Sequence, residues 1–177
     1  MKHELPEDLP AVAWTASDGT ALTLRHVRGE DVDNLIAFVR GLSFGARYFR
    51  YGHGDIEFSK DEILLVCNPD PQQCDHLLVL KVEHGKESVV GSGRIVFEAG
   101  GTNCEVAIAV TDAWQGRGVG KRLIEELFES ARRRGLREMH AQTLASNRRM
   151  IAFLRGRGFT ISDSAEGAAV KLASIAL

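Results

Sequence analysis

The sequence of 177 residues has little of several features that define whole classes of protein. Its three cysteines, Cys67, Cys74 and Cys104, have neither metal-site nor redox spacing, so we expect no metal. No apolar run approaches the roughly 20 residues of a membrane span, so we expect no membrane partner. The formal net charge of −2 gives no general attraction to nucleic acid. Together with an N-terminus that has no apolar leader, these absences predict a cytoplasmic protein.

The spacing of apolar residues predicts the order of helices and strands. Alternation predicts seven strands, at residues 20–27, 76–83, 88–98, 104–110, 138–144, 160–163 and 168–173. The helical period predicts four helices, at residues 29–41, 59–67, 119–134 and 147–155, the last of them capped by Ser146. Residues 47–54 are interpreted as a loop or helix end. This order predicts an α/β fold of the α+β type: a mixed, mostly antiparallel central sheet of six to seven strands with helices on both faces.

We expect one domain over residues 20–177, preceded by an N-terminal arm over residues 1–19 that pairs at a sheet edge. The helix at residues 59–67 has a capping-box pattern, with Ser59 as the cap and Glu62 three places later.

The most informative segment joins strand 104–110 to the long helix that follows, and it contains Gln115-Gly116-Arg117-Gly118-Val119-Gly120-Lys121. Glycines let a backbone approach a bulky anion, and the free amides of the first helical turn point at that anion. A Walker A loop is excluded because Gln115 stands where it needs a glycine, and a dinucleotide fingerprint because Lys121 replaces its third glycine. The turn therefore predicts a pyrophosphate site of another type, or a connection that binds nothing.

This segment and the one after it resemble the GNAT superfamily of N-acetyltransferases. The shared order is strand, Gln-Gly-Arg-Gly-Val-Gly, helix, strand, Ala-Ser-Asn-Arg-Arg-Met, short helix and Arg-Gly-Arg-Gly-Phe, and the resemblance covers roughly residues 22–172. Residues 42–50, Leu-Ser-Phe-Gly-Ala-Arg-Tyr-Phe-Arg, are similar to a segment in GNAT domains of bacterial protein lysine acetyltransferases. The resemblance implies a GNAT-like fold and transfer of acetyl from acetyl-coenzyme A to a primary amine, with an exposed protein lysine as the favoured acceptor. A small-molecule amine acetyltransferase and a non-catalytic acyl-coenzyme A sensor are the alternatives.

The resemblance also implies which residues hold the cofactor. The turn would bind the pyrophosphate, strand 104–110 would pair with the pantetheine arm, and the second helix would contact that arm. The implied cofactor-binding residues are Ile108, Ala109, Val110, Gln115, Gly116, Arg117, Gly118, Val119, Gly120, Lys121 and Asn147. The alternatives are a fully paired central strand and, for Asn147, a polar residue beside a helix cap.

Glu105 is the predicted general base, because the family carries a glutamate in a Glu-x-Ala pattern on this strand. Alternation places it on one face with Ala107 and Ala109. Burial in an apolar strand would raise its pKa towards the range that suits proton abstraction. The alternative is an ion pair with Arg94, and His53 and His140 are weaker candidates for the base.

Two further features concern the acceptor and the leaving group. Leu154 stands where many members of the family have a tyrosine that protonates the departing thiolate, and leucine cannot do this. Arg47, Tyr48, Arg50 and Tyr51 line the acceptor groove if the resemblance holds there, and otherwise form a solvated helix end.

Overall fold

The computed structural model describes residues 11–165 and 167–177. Eight strands form one sheet in the spatial order β1-β2-β3-β4-β5-β6-β8-β7. They are β1 Val12–Thr15, β2 Ala21–His26, β3 Cys74–Glu83, β4 Lys86–Phe97, β5 Asn103–Val110, β6 Glu138–Leu144, β7 Thr160–Ser164 and β8 Gly167–Ala176. Neighbouring strands are antiparallel except for β5 and β6, which are parallel.

The predicted mixed, mostly antiparallel sheet is confirmed, with one strand more than the sequence predicted. The additional strand is β1, which pairs with β2 at the edge of the sheet. The remainder of the predicted arm, residues 1–10, lies outside the described residues.

Five α-helices accompany the sheet in the described chain: α1 Val32–Gly41, α2 Phe44–Tyr51, α3 Lys60–Cys67, α4 Val119–Arg133 and α5 Arg148–Arg155. The predicted capping box of α3 is confirmed, since the Ser59 hydroxyl accepts from the Glu62 N–H (3.2 Å) and the Glu62 carboxylate accepts from the Ser59 N–H (2.9 Å). Of the two interpretations of residues 47–54, a loop or a helix end, the structure has a helix end as far as residue 51, because Ser43 caps helix α2. None of the described helices has the length and apolar composition of a membrane span.

Helices cover both faces of the sheet, as predicted. On one face, Leu123, Ile124 and Leu127 of α4 are fully buried in a core with the inward residues of the central strands. On the other face, α1 and α3 form a second core with Leu78 and Leu80 of β3.

Two glycines of β4 let α4 lie close to the sheet. A Cβ atom on Gly91 would lie 2.7 Å from Val119 Cγ1, and one on Gly93 would lie 3.0 Å from Leu127 Cδ1. Both distances are shorter than an ordinary carbon contact, so a side chain at either position would displace the helix. The glycines of β4 therefore fix the position of the N-terminus of α4.

We predict that Gly91→Ala lowers the free energy of unfolding by about 1–3 kcal/mol, because the added methyl group overpacks the interface between β4 and α4. Urea unfolding followed by circular dichroism measures this change. Gly41→Ala is the matched control, since a Cβ atom there meets nothing within 4 Å. A Gly91→Ala protein as stable as the wild type would show that α4 does not pack closely against Gly91.

Candidate active site

Strands β5 and β6 pair over only three residues and then separate. Residues 103–105 pair with residues 138–140, whereas β5 continues to Val110 and β6 to Leu144. The separation opens the centre of the sheet along the second half of β5.

Two main-chain amides of β5 face this opening. The Thr111 N–H donates to the Val90 carbonyl on the β4 side (3.0 Å). Because amides alternate in direction along a strand, the N–H groups of Ile108 and Val110 point away from β4, towards the opening. Ala109 is paired with Ser92 and has its N–H directed to β4, so only Ile108 and Val110 of the predicted strand residues offer a free amide.

A groove of about 840 Å³ follows the opening. This volume is typical of small-molecule and cofactor sites. Its walls are α2, residues 105–110 of β5, the turn before α4, residues 141–143 of β6, and α5. The groove therefore brings together three segments that the sequence analysis considered separately.

The glycine turn presents unpaired amides to one end of the groove. Gly116 and Gly118 have φ angles of +78° and +90°, which L side chains rarely adopt. Gly118 is the N-cap of α4, and no side chain caps this helix. The first helical hydrogen bond runs from the Arg122 N–H to the Gly118 carbonyl (2.9 Å), so the N–H groups of residues 119–121 have no helical acceptor. Such a helix start favours a bound anion.

Two side chains of the turn are held by the protein itself. The Gln115 side-chain amide donates to the Val110 carbonyl (3.0 Å) and so fixes the turn to the end of β5. The Arg117 guanidinium pairs with Asp18 and lies over the Trp114 ring, 4.9 Å from its centroid. Arg117 and the buried Val119 are not among the described residues that line the groove. These two residues can contribute only main-chain groups to a ligand there.

Four cationic side chains line the groove. Arg50 and Lys121 were predicted from the sequence, whereas Arg149 and Arg157 were missed. Both lie in segments that carry the family resemblance, Arg149 in Ala-Ser-Asn-Arg-Arg-Met and Arg157 in Arg-Gly-Arg-Gly-Phe, but the sequence alone did not show that they face the same groove.

Asn147, not Ser146, caps α5, which corrects the predicted cap. Its side-chain oxygen accepts from the Met150 N–H (3.2 Å), and the residue lines the groove. The oxygen is therefore engaged, and the amide nitrogen is the group that Asn147 can offer to a ligand.

Glu105 lies at the end of the groove where β5 and β6 part, and its side chain is exposed. The expectation that it is buried was wrong, because the separation of the strands opens this part of the sheet to solvent. The alternative ion pair with Arg94 is also absent among the described residues.

The other residues considered for proton transfer either lie outside the groove or have no titratable side chain. Leu154 is 2% exposed and borders the groove from α5. His140 is the register partner of Glu105, and its Nδ1 atom lies 3.8 Å from Glu98 Oε1. Neither His140 nor the exposed His53 is among the described groove residues.

Of the four predicted acceptor residues on α2, only Arg50 lines the groove, together with the neighbouring Phe49. Arg47 donates to the Gly54 carbonyl (2.6 Å), and Tyr51 packs edge-on against Phe58. The exposed Tyr48 does not line it.

Comparisons with known proteins agree with this geometry. The family model described as the acetyltransferase (GNAT) family matches residues 46–159. This chain belongs to the GNAT acetyltransferase family. It is similar to a Pseudomonas aeruginosa protein named acetyltransferase PA5475, with 32% identity over 149 residues, 82% of this chain and 80% of that one.

Solved structures share the fold. The GNAT domain of S. lividans PAT is similar with a TM-score of 0.82 and 26% identity, over 94% of this chain and 97% of that one. The PaiA N-acetyltransferase of Thermoplasma acidophilum, solved in complex with coenzyme A, has a TM-score of 0.70 and 15% identity, over 88% of this chain and 99% of that one. The protein is an N-acetyltransferase that uses acetyl-coenzyme A and acts on amine-bearing substrates. The free amides and cations of the groove suit the phosphates of that co-substrate.

A buried histidine on β3 gives the fold a dependence on pH. His76 Nε2 lies 2.8 Å from the Ser92 hydroxyl oxygen, and its Nδ1 lies 3.3 Å from the Val66 carbonyl oxygen. Burial lowers the pKa of His76 from 6.5 to about 4. Between these values the unfolded chain binds a proton at this residue and the folded chain does not.

We predict that the free energy of unfolding falls as the pH is lowered from about 6.5 towards about 4, with roughly 3 kcal/mol of the loss due to His76. Urea unfolding at a series of pH values measures the slope. His76→Gln removes this part of the slope, whereas His53→Gln, at an exposed histidine, leaves it unchanged. Parallel curves for wild type and His76→Gln would contradict the assignment.

Proposed function

We propose that this enzyme acetylates lysine side chains of proteins in the cytoplasm, with acetyl-coenzyme A and the acceptor bound in the groove together. The observation that carries the proposal is the opening between β5 and β6, which has free amides along one edge and the exposed Glu105 carboxylate at its end. Such an opening can hold a thioester beside a group that accepts a proton.

The cofactor occupies the end of the groove formed by the glycine turn. The amides of residues 116–121 bind the pyrophosphate, and Lys121, Arg149 and Arg157 add positive charge beside it. The Asn147 amide nitrogen donates to the pantetheine arm. The Ile108 and Val110 amides pair with that arm and stabilise the oxyanion that forms on the thioester carbonyl.

Glu105 is the general base. Its carboxylate takes a proton from the acceptor ammonium, directly or through one water, and leaves a neutral amine. The amine nitrogen forms a bond to the acetyl carbonyl carbon, the bond from that carbon to sulfur breaks, and the nitrogen releases its second proton to solvent to give the neutral amide. Coenzyme A leaves as a thiolate and takes a proton from solvent, because Leu154 has none to give. Alignment of the two substrates supplies much of the rate.

Two features favour a protein as the acceptor. The face of α2 beside the groove exposes Phe44 (63%), Tyr48 (42%) and Phe49 (39%), a patch of a kind often found at protein interfaces. The similarity to the GNAT domain of S. lividans protein acetyltransferase, at 26% identity, points to the same class of acceptor.

The free cysteines support the proposed cytoplasmic location. All three are unpaired thiols, as is common in a reducing cytoplasm.

We predict that Glu105→Gln lowers kcat by about 100-fold or more and leaves the Kd for coenzyme A nearly unchanged, because the substitution removes the base and keeps the shape of the groove. Thiol release measures turnover, and isothermal titration measures binding. Glu138→Gln is the matched control, since Glu138 is exposed on the same sheet and does not line the groove. Near-normal turnover of Glu105→Gln would remove this residue from the role of base.

A lysate incubated with the enzyme and isotopically labelled acetyl-coenzyme A tests the acceptor class. Mass spectrometry is expected to find label on protein lysines, and to find far less when Glu105→Gln replaces the wild type. Label confined to small amines would point to a small-molecule acetyltransferase, and binding of coenzyme A without any transfer would point to a sensor.

A further inference from the structure

Two arginine side chains lie near Glu105. Arg50 comes from α2, lines the groove and has both Glu105 and Arg94 as charged neighbours. Arg94 comes from β4, where it is paired with Ala107, two residues along the strand from Glu105, and it lies behind Arg50 rather than among the described residues that line the groove. Arg94 and Glu105 are therefore diagonal neighbours on one face of the sheet.

Neither guanidinium has an ion-pair or hydrogen-bond partner within residues 11–165 and 167–177. This distinguishes them from Arg25, which pairs with Asp31 at 2.7 Å, and from Arg134, which pairs with Asp75. Both side chains are half-buried. The Arg50 guanidinium lies over the Tyr51 ring, 5.0 Å from its centroid, but no carboxylate binds it. A guanidinium that has lost part of its hydration without a bound anion is destabilising, and a second one nearby adds to the cost.

Burial and a neighbouring arginine disfavour the charged form of Arg50. Burial lowers the pKa of the Arg50 guanidinium, and Arg94 lowers it further, while Tyr51 and Glu105 act in the opposite direction. One carboxylate thus faces two guanidinium groups, and in the proposed reaction that carboxylate must accept a proton. The phosphates of coenzyme A are expected at the other end of the groove, so a second anion beside the arginines has to come from the acceptor.

We propose that Arg50 binds a carboxylate of the acceptor, with Arg94 adding positive charge beside it, and that the enzyme therefore prefers an amine that lies next to an acidic group. The guanidinium fork matches the geometry of a carboxylate and can bind it through two parallel hydrogen bonds. The acidic group is either the side chain of an aspartate or glutamate beside the target lysine or the α-carboxylate of a small amine. This inference rests on the proposed acetyl transfer, since it assigns the acceptor half of the same site.

Two matched pairs of acceptors test the inference and distinguish the sources. The first pair is a peptide with glutamates flanking one lysine and the same peptide with glutamines in their place. The second is Nα-acetyl-lysine and its amide, which differ only in the carboxylate. We expect KM to be about tenfold lower, or more, for the acidic member of at least one pair, with similar kcat, because a charged hydrogen bond contributes about 1.5–3 kcal/mol.

Arg50→Gln should remove most of this preference and Arg94→Gln part of it, while the KM for the neutral member changes little. Arg50→Lys should retain part of it, because the charge remains and the fork is lost. Arg133→Gln, at an exposed arginine outside the groove, is the control and should keep the full preference. Thermal unfolding of each variant checks that it is folded.

Equal KM values within both pairs would overturn the inference, as would a preference that survives in both glutamine variants. The Kd of each acceptor for the complex with coenzyme A, measured by isothermal titration, separates this result from a failure of the proposed function. If the acidic member binds more tightly and no acetyl is transferred, the carboxylate site stands and the transfer reaction does not.

Discussion

The separation of β5 from β6 after three residue pairs is the constraint on which the site depends. Two inner strands of a sheet normally satisfy each other's main-chain groups, and a polar group left without a partner costs free energy unless water or a ligand satisfies it. Here the N–H groups of Ile108 and Val110 face the gap instead. Glu105 is exposed at the end of the same gap. The separation of the two strands therefore accounts for both the free amides and the accessible carboxylate.

Contacts between distant segments keep the walls of the groove in place. The Asp112 carboxylate accepts from the Ser43 N–H and hydroxyl, both at 3.0 Å, and ties the start of α2 to the turn that precedes α4. Arg117 ties that turn to Asp18, in the connection between β1 and β2. Residues far apart in sequence thus position α2 and the glycine turn relative to each other. The shape of the groove therefore depends on contacts between residues that are distant in the sequence.

Local signals in the sequence were sufficient for most of the fold. The apolar periodicity predicted the helices and strands. The Ser59–Glu62 pattern predicted the start of α3, and the glycines predicted the turn before α4. These features were predictable because they depend on residues that are neighbours in the chain. Other features depend on tertiary contacts and were not predictable in this way. Glu105 is exposed because two strands separate above it, and Arg117 turns away from the groove because Asp18 lies across from it. The N-cap of α5 is Asn147 and not Ser146. Both residue types are favourable N-caps, so the sequence alone did not distinguish them.

A crystal structure of the enzyme with acetyl-coenzyme A tests the central claim most directly. We expect pyrophosphate oxygens about 3 Å from the main-chain nitrogens of residues 116–121, and the thioester carbonyl beside the separated half of β5. Phosphates bound elsewhere on the protein, or no bound acetyl-coenzyme A at millimolar concentration, would contradict it.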